Sequence, residues 1–318
     1  MQKHPLSNVT PQQTLRLGTR GSFLARAQSQ LIANDLRKRH PGLTIELVIV
    51  NTTGDRVQDR PLTEIGGKGL FVKELELALI DGRVDFAVHS YKDVPVTMPL
   101  VDESNLIIAA VPEREDAGDA VVLFAPSKGA MPHKARVGTA SLRRKCQILA
   151  AAPDVTILPL RGNIDTRIKK LCEGEYDVIV LAMAGLKRAG LFDPSFMRPA
   201  GLVPAAGQGA LAIQCRKDDR STFDLLHVLN DQTTAACVKA ERRIVELLEG
   251  DCHSPIAAWA RDLGGRLDLT VVVGGRDGVP PVIEASASAP PGDWDAAVLQ
   301  VMTRLLADGA RARLQGNP

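Results

Sequence analysis

A nearly continuous run of aliphatic and β-branched residues, Leu43–Val50, constrains the fold of this chain more than any other segment. It reads LTIELVIV, which is the pattern of a strand buried on both faces. Such strands belong to parallel sheets that are covered by helices. Strand and helix patterns alternate around it, at Leu15–Thr19, Phe23–Arg39, Leu70–Ile80 and Asp85–His89. This alternation predicts an α/β fold with a largely parallel sheet.

The same alternation returns further along the chain. Strand and helix patterns follow one another at Ala120–Phe124, Ser141–Ala152, Val155–Leu160, Ile164–Glu173 and Asp177–Leu181. After a stretch rich in Pro and Gly comes one more apolar strand, Ala210–Cys215, which is a candidate to return to the first sheet. Two connecting segments and a returning strand predict two lobes around a cleft.

The last third of the chain has a different pattern. A long helix pattern and a loop are followed by three short strands and another helix, at Thr233–Glu249, Ile256–Arg261, Leu267–Val273, Val282–Ser286 and Trp294–Leu306. Consecutive strands joined by turns predict a small α+β domain with an antiparallel sheet. A chain of 318 residues is long enough for several domains. We expect three domains: residues 14–110 with 208–230, residues 114–204, and residues 232–318.

Composition and charge exclude several classes of protein. The chain is 45% hydrophobic and 24% charged, which is typical of soluble globular proteins and not of disordered or collagen-like chains. Lys and Arg number 39 against 37 Asp and Glu, and aromatic residues make up only 3%, so we expect no nucleic-acid partner. No run approaches about 18 apolar residues and no targeting segment is visible, so we expect no membrane partner and a cytoplasmic location.

The cysteines do not form a recognisable framework. There are five, an odd number without a C-x-x-C pair, which fits neither a set of disulfides nor a structural zinc site. We therefore expect no metal. Cys146, Cys172, Cys215 and Cys237 lie in helix or strand patterns and are predicted to be small core residues. Cys252 lies in the loop Gly250–Pro255, and its position is compatible with either a reactive or an inert thiol.

Polar and basic residues are concentrated directly after the predicted strands. In open α/β sheets, ligands bind beyond the carboxyl ends of the strands. The residues at these positions are Arg20, Ser22, Ser90, Lys92, Asp93, Thr139, Ser141, Arg143, Arg144, Arg161 and Arg167. Each cation taken singly could be a solvated surface residue with a local salt bridge. As a set, they predict a site for a small molecule that carries several negative charges.

The segment Gly138–Ser141 precedes a predicted helix and is a candidate anion site, because backbone N–H groups and hydroxyls converge there. Arg143 and Arg144 fall in the first turn of that helix, where the positive end of the helix dipole opposes them. Their position therefore indicates a negatively charged partner. Two nucleotide-like motifs fail in context: Gly66–Gly69 lacks the spacing of a P-loop, and Gly207–Ala212 precedes a strand rather than a helix.

Asp93 is a lone acid among cations. It could be a salt-bridged or turn-capping residue just before Val94-Pro95. Alternatively, it could transfer protons and stabilise a cationic intermediate in a cleft built for anions. His89, on the preceding strand, is predicted to be a packed core histidine.

Several segments together resemble one family, the porphobilinogen deaminases, also called hydroxymethylbilane synthases. They occur in the family's order and cover most of residues 15–261: LRLGTRGS, IGGKGLFVKELE, DFAVHSYKDVP, GTASLRR, LRGNIDTR, LAMAGLKRAGL, PAAGQGALAIQCR and DCHSPIAAWA. The C-terminal strands and helix match the family only in kind. The resemblance implies two lobes like those of a periplasmic binding protein, with a small third domain that carries a cofactor cysteine.

The resemblance also implies an activity and a set of site residues. The family joins four porphobilinogen molecules into linear hydroxymethylbilane and releases ammonia at each step, in tetrapyrrole biosynthesis. It uses a dipyrromethane cofactor held by a cysteine thioether, and Cys252 stands at that position. Asp93 stands at the catalytic aspartate. The residues expected at the cofactor are Cys252, Ser90, Lys92, Asp93, Thr139, Ser141, Arg143 and Arg144. Those expected at the substrate are Arg20, Ser22, Lys68, Arg161, Arg167 and Gln208.

The chain departs from the family pattern at four positions: Phe23 replaces a usual proline, Ala140 a common serine, Glu64 a lysine of some relatives, and Asp251 a usual glycine. None of them is a principal site residue. Similar proteins are monomers, so we expect a monomer. Two other functions remain open: a two-lobed binding protein that captures an anion without chemistry, and a nucleic-acid binder that uses Arg143-Arg144-Lys145. Neither would need both Asp93 and Cys252.

Overall fold

The computed structural model describes residues 13–52, 69, 72–96, 105–123, 132–251, 253–290 and 292–316. Within these ranges the strands form three sheets. The strands are β1 (Thr14–Thr19), β2 (Thr44–Ile49), β3 (Phe86–Ser90), β4 (Leu106–Ala110), β5 (Asp119–Leu123), β6 (Arg136–Gly138), β7 (Thr156–Leu158), β8 (Val178–Ala182), β9 (Met197–Pro199), β10 (Leu211–Arg216), β11 (Ile256–Asp262), β12 (Leu267–Val273) and β13 (Ile283–Ala289). The helices are α1 (Phe23–Arg39), α2 (Lys73–Ile80), α3 (Leu142–Ala151), α4 (Ile164–Cys172), α5 (Met183–Arg188), α6 (Arg220–His227), α7 (Gln232–Leu247), α8 (Trp294–Ala307) and α9 (Ala310–Gln315).

The first sheet has the strand order β2-β1-β3-β10-β4. Strand β1 runs parallel to β2 and β3, whereas β10 runs antiparallel to β3 and β4. The prediction that the apolar segment near Ala210–Cys215 returns to the first sheet is therefore confirmed. Leu17, Phe86 and Ile213 are fully buried at the centre of this sheet. This core fixes the carboxyl end of β3, from which the candidate site residues project.

The second sheet repeats this design with the order β7-β6-β8-β5-β9. Strand β6 is parallel to β7 and β8, and β5 crosses in antiparallel to β8 and β9. Each sheet thus contains one strand that runs antiparallel to its neighbours, and the chain reaches that strand directly from the other lobe. The predicted pair of α/β lobes around a cleft is confirmed.

The third sheet, β11-β12-β13, is antiparallel throughout. Its core joins Leu269 and Val271 of β12 to Ile244 of α7 and Val301 of α8, all of which are fully buried. The small α+β C-terminal domain is therefore confirmed. Among the described residues, no helix is long and apolar enough to cross a membrane.

Sequence analysis missed several short elements, namely β4, β6, β9, α5, α6 and α9. Strand β4 is a five-residue apolar run, whose period alone does not separate strand from helix. Antiparallel pairing with β10 makes this segment a strand. Helix α6 had a readable start signal, because Asp219 caps it by accepting a hydrogen bond from the backbone N–H of Thr222.

Glu241 of α7 joins the connections between the lobes to the third domain. Its buried carboxylate accepts two hydrogen bonds from Arg114, at 2.7 and 2.9 Å. It also accepts from the backbone N–H of Gly207 at 2.7 Å and of Ala260 at 2.9 Å. Arg114 lies on the connection from the first lobe to the second, between β4 and β5, and Gly207 lies on the connection back to the first lobe, between β9 and β10. One carboxylate therefore holds both connections against β11.

We predict that Arg114→Ala lowers the free energy of unfolding by about 3–5 kcal/mol, because it leaves a buried carboxylate without its counter-charge. The matched control is Arg243→Ala, which removes an exposed pair with Glu246 and should cost no more than about 1 kcal/mol. Urea unfolding of both variants measures the difference. Equal losses in the two variants would contradict the importance of the Arg114–Glu241 pair.

Candidate active site

Asp93 lies one turn beyond the carboxyl end of β3, on the short 3-10 helix Tyr91–Asp93. The backbone N–H of Tyr91 donates to the carbonyl of Ala210 at 3.0 Å, which ties this turn to the start of β10. The Asp93 side chain is half-buried. Its carboxylate makes no hydrogen bond or ion pair with any other residue that the structure describes. The salt-bridged interpretation of Asp93 thus finds no support among those residues.

Two chambers meet at this turn. The interlobe chamber has a volume of about 320 Å³ and is lined from both lobes, whereas the loop chamber, of about 190 Å³, extends to the third domain. The described residues that line both of them are Lys92, Asp93 and Arg144. Asp93 therefore faces two compartments at once.

The interlobe chamber is predominantly basic. Its charged lining residues are Arg20, Lys92, Arg144, Arg161, Arg167, Asp93 and Asp165. Burial, together with the charges of Arg144 and Arg161, lowers the pKa of Arg167 to about 10. Arg167 also donates from Nε to the carbonyl of Gly162 at 2.7 Å, which fixes its direction. Cations that crowd one another in this way favour the binding of an anion.

Arg143 and Arg144 are buried and share one carboxylate, that of Asp119. Arg143 Nη1 donates to Asp119 Oδ2, and Arg144 Nη2 to Asp119 Oδ1, both at 2.8 Å. Burial alone would raise the pKa of Asp119, but the two guanidinium groups hold it well below its usual range. The negative partner that the sequence indicated is therefore supplied within the chain. Two cations against one anion leave this cluster with a net positive charge.

The hydroxyls at the start of α3 are engaged with their own backbone. Ser141 Oγ caps the helix by accepting from the N–H of Arg144, and Thr139 Oγ1 accepts from the N–H of Ser141 at 3.2 Å. The N–H of Thr139 donates to Leu158. The expected free backbone donors at Gly138–Ser141 are therefore absent at Thr139 and Ser141, whose N–H groups are taken by the Leu158 carbonyl and the Thr139 hydroxyl. Ser141 still lines the loop chamber, whereas Thr139 is buried.

Gln208 connects Lys92 to the buried cluster. Its Oε1 accepts from Lys92 Nζ at 3.3 Å, while its Nε2 donates to Asp119 Oδ1 at 2.9 Å and to the carbonyl of Ala117 at 2.7 Å. Burial lowers the pKa of Lys92 to about 8, against the opposing charge of Asp93. Gln208 itself is only 1% exposed. A polar chain thus runs from Lys92 through Gln208 to Asp119.

Two more of the predicted site residues, Arg20 and Ser22, lie just before helix α1, whose first turns border the interlobe chamber. Ser22 caps α1 by accepting from the N–H of Ala25, and Ser22 and Arg20 both line the interlobe chamber. Ser90 donates to Gln28 at 3.2 Å on the same wall. Phe23, one of the departures from the family pattern, is 49% exposed there.

Cys252, Lys68 and Glu64 lie outside the described residues. The neighbours of Cys252 are described: Asp251 and Ser254 line the loop chamber. The Asp251 carboxylate accepts from the N–H groups of His253 and Ser254, both at 2.9 Å. Burial would raise the pKa of Asp251, but the hydrogen bond from the Ser254 hydroxyl, together with these two backbone bonds, lowers it below its usual value. The loop that contains Cys252 in the sequence therefore borders the loop chamber on both sides of that residue.

The remaining candidates behave as structural residues, with one exception. Burial lowers the pKa of His89 to about 4, and its Nε2 lies 2.9 Å from Gln214 Oε1, so the predicted core histidine is confirmed. Cys146, Cys215 and Cys237 are buried as expected. The prediction for Cys172 is wrong: it is exposed, because it ends α4 on the outer face of that helix. Within the described part of the chain, no group of acidic, His or Cys side chains could hold a metal ion.

Comparison with known proteins agrees with this geometry. Residues 15–224 match the porphobilinogen deaminase dipyrromethane cofactor binding domain, and residues 235–307 match the porphobilinogen deaminase C-terminal domain. The chain belongs to the porphobilinogen deaminase family. The two matches leave only the ends and one short connection outside this family.

Relatives match over nearly the whole chain. The porphobilinogen deaminase of Roseiflexus sp. is 44% identical over 96% of this chain and 99% of the relative. That of Xanthomonas campestris pv. campestris is 49% identical over 93% of this chain and 95% of the relative. Among solved structures, a Salmonella typhimurium periplasmic binding protein with high arginine specificity aligns with a TM-score of 0.38 and 13% identity, over 70% of this chain and 94% of that one.

Proposed function

We propose that this chain joins four porphobilinogen molecules head to tail into linear hydroxymethylbilane, releasing ammonia at each step, in tetrapyrrole biosynthesis. The observation that carries this proposal is the place of Asp93, on the wall shared by two chambers whose other charges are mostly positive. Each pyrrole unit brings two carboxylates, so the growing chain is a polyanion that requires cations. The departure of ammonia leaves a cation on the pyrrole, which requires a carboxylate among them.

We assign the loop chamber to the dipyrromethane cofactor. The donors there fit a group with several carboxylates: Lys92, the net positive cluster of Arg143 and Arg144, and the Ser141 hydroxyl. Thr139 supports this wall from behind by holding the N–H of Ser141. When bound through a thioether to Cys252, the cofactor supplies the pyrrole carbon to which the first substrate is joined.

We assign the interlobe chamber to the substrate and the growing chain. Arg20, Arg161 and Arg167 are placed to bind acetate and propionate side chains, and Lys68 joins them in this proposal although it lies outside the described residues. Ser22 and Ser90 shape the same wall by fixing α1 and the end of β3. Gln208 contributes through Lys92, whose ammonium it holds by a hydrogen bond.

Asp93 carries the proton chemistry in this proposal. Its carboxylate stabilises the pyrrole cation that forms as the C–N bond to ammonia breaks. It then accepts the proton that the α-carbon of the attacking pyrrole loses once that carbon has formed the new C–C bond, and passes this proton to the released ammonia. Contact with both chambers allows one carboxylate to serve the attacking and the attacked pyrrole in turn.

We further propose that the protein works as a monomer in the cytoplasm, with domains at residues 14–110 plus 208–230, 114–204 and 232–318. Each of these ranges contains the strands of one sheet, which supports the division. Widely spaced cysteines without a C-x-x-C pair favour a reducing compartment.

The intact mass of the denatured protein tests the cofactor directly. We expect an excess of two linked pyrrole units over the sequence mass, because denaturation removes every ligand that is not covalently bound. The excess should move to the peptide that contains Cys252 on digestion and disappear in Cys252→Ala. A bare polypeptide that stays bare after incubation with porphobilinogen would favour an anion-binding protein without chemistry.

We predict that Asp93→Asn retains the covalent cofactor and loses turnover by at least about 100-fold, because the neutral amide neither accepts the proton nor balances the cation. The matched control is Asp165→Asn, which removes the exposed carboxylate on the same chamber wall and should leave turnover close to normal. Steady-state kinetics and intact mass on both variants measure this. Near-normal turnover of Asp93→Asn would refute its catalytic role.

We predict that kcat/KM falls as the pH rises above about 8, because the Lys92 pKa of about 8 lies below its usual value and the ammonium charge is lost above it. Lys92→Arg keeps its charge to much higher pH, so the alkaline limb should move upward in that variant. Measurement of kcat/KM from pH 6 to 10 in both proteins decides the point. An unmoved limb would assign the titration to another group.

A further inference from the structure

Helix α7 presents two consecutive charged side chains to two different parts of the molecule. Glu241 holds the connections between the lobes, as described above. Arg242 turns instead toward the segment that follows β3, where it lines the loop chamber and is half-buried. The third domain therefore reaches the candidate catalytic turn through this side chain, in addition to the apolar packing of Val238 near Tyr91.

Arg242 holds this turn on both sides of Asp93. Its Nη1 donates to the carbonyl of Val94 at 2.7 Å and its Nη2 to the carbonyl of Pro95 at 2.6 Å. Its guanidinium carbon lies 4.7 Å from the ring centre of Tyr91, within the range of a cation–π contact. The fixed fork of a guanidinium matches two neighbouring acceptors in a way that a lysine ammonium does not.

The Asp93 carboxylate depends on this backbone for its position. No hydrogen bond or ion pair joins it to another residue in the described part of the chain, so among those residues the backbone of the turn sets its direction into the two chambers. On one side the turn is held by the bond from the N–H of Tyr91 to Ala210, at 3.0 Å. On the other side, after Asp93, the two bonds from Arg242 hold it.

We propose that Arg242 is a positioning residue for Asp93: it keeps the carboxylate on the wall shared by the two chambers and couples the catalytic turn to α7. This inference rests on the catalytic role proposed for Asp93. Helix α7 ends at Leu247, five residues before Cys252, so the same helix also leads into the loop of the cofactor cysteine. Small displacements of a catalytic group cost on the order of 100-fold in rate, which sets the expected scale.

The test compares Arg242→Met, Arg242→Lys and the matched control Arg243→Met. Arg243 is the next residue on α7, but it is exposed and pairs only at the surface with Glu246. In Arg242→Met we expect kcat to fall by about 10- to 100-fold while KM and the covalent cofactor measured by intact mass stay unchanged. Arg242→Lys should recover part of kcat, because an ammonium can bond one of the two carbonyls. Arg243→Met should behave as the unchanged enzyme.

Two results would overturn the inference. Unchanged kcat in Arg242→Met would show that the turn holds Asp93 without this contact. A raised KM with normal kcat, or loss of the covalent cofactor, would show that Arg242 binds an anion instead of positioning the turn. If Arg242→Met does not fold, Arg242→Lys is judged by the same criteria, and kcat equal to that of Arg243→Met overturns the inference.

Asp93→Asn is measured in parallel to separate this inference from the proposed function. If Asp93→Asn is inactive and Arg242→Met has normal kcat, only the role of Arg242 is refuted. If Asp93→Asn retains turnover, the proposed role of Asp93 is refuted and the role of Arg242 with it.

Discussion

The buried carboxylate of Asp119 is the interaction around which the site is organised. It lies at the first residue of β5, where the chain enters the second lobe, and it binds Arg143 and Arg144 of that lobe. It also accepts from Gln208 on the connection that returns to the first lobe, and Gln208 in turn holds Lys92 beside Asp93. Burial makes each of these bonds costly to break, because a charge left alone in the interior cannot be solvated. The arginine pair of the second lobe and the turn that carries Asp93 are therefore held in one polar network.

A second network ties the third domain to the cleft. Glu241 binds both connections between the lobes, and its neighbour Arg242 binds the turn that carries Asp93. Both residues lie on α7, whose apolar side packs on the antiparallel sheet. The third domain thus contacts both connections between the lobes and the turn that carries Asp93.

Much of this could be predicted from local pattern, because periodicity and residue chemistry are local properties. The buried strand Leu43–Val50 and the apolar return near Ala210–Cys215 indicated the first lobe, and the clustering of arginines after strands indicated an anion site. The same logic failed where partners lie far apart in sequence. The negative partner of Arg143 is Asp119, 24 residues away, and the backbone N–H of Thr139 donates to the carbonyl of Leu158 on strand β7. Charge alone does not reveal such intramolecular pairing.

By itself, the sequence determined the α/β class, the antiparallel third domain, the family and the residue types of the site. These follow from hydrophobic period, turn residues and ordered motifs, all of which are written along the chain. Only the tertiary structure decided that Asp93 stands between two chambers, that Gln208 is hydrogen-bonded to Lys92, and that Arg242 reaches the turn from another domain. The physical reason is that such contacts join segments far apart in the sequence, and Lys92–Gln208 and Val94–Arg242 are each more than one hundred residues apart. Their meeting depends on how the sheets pack, which no local pattern specifies.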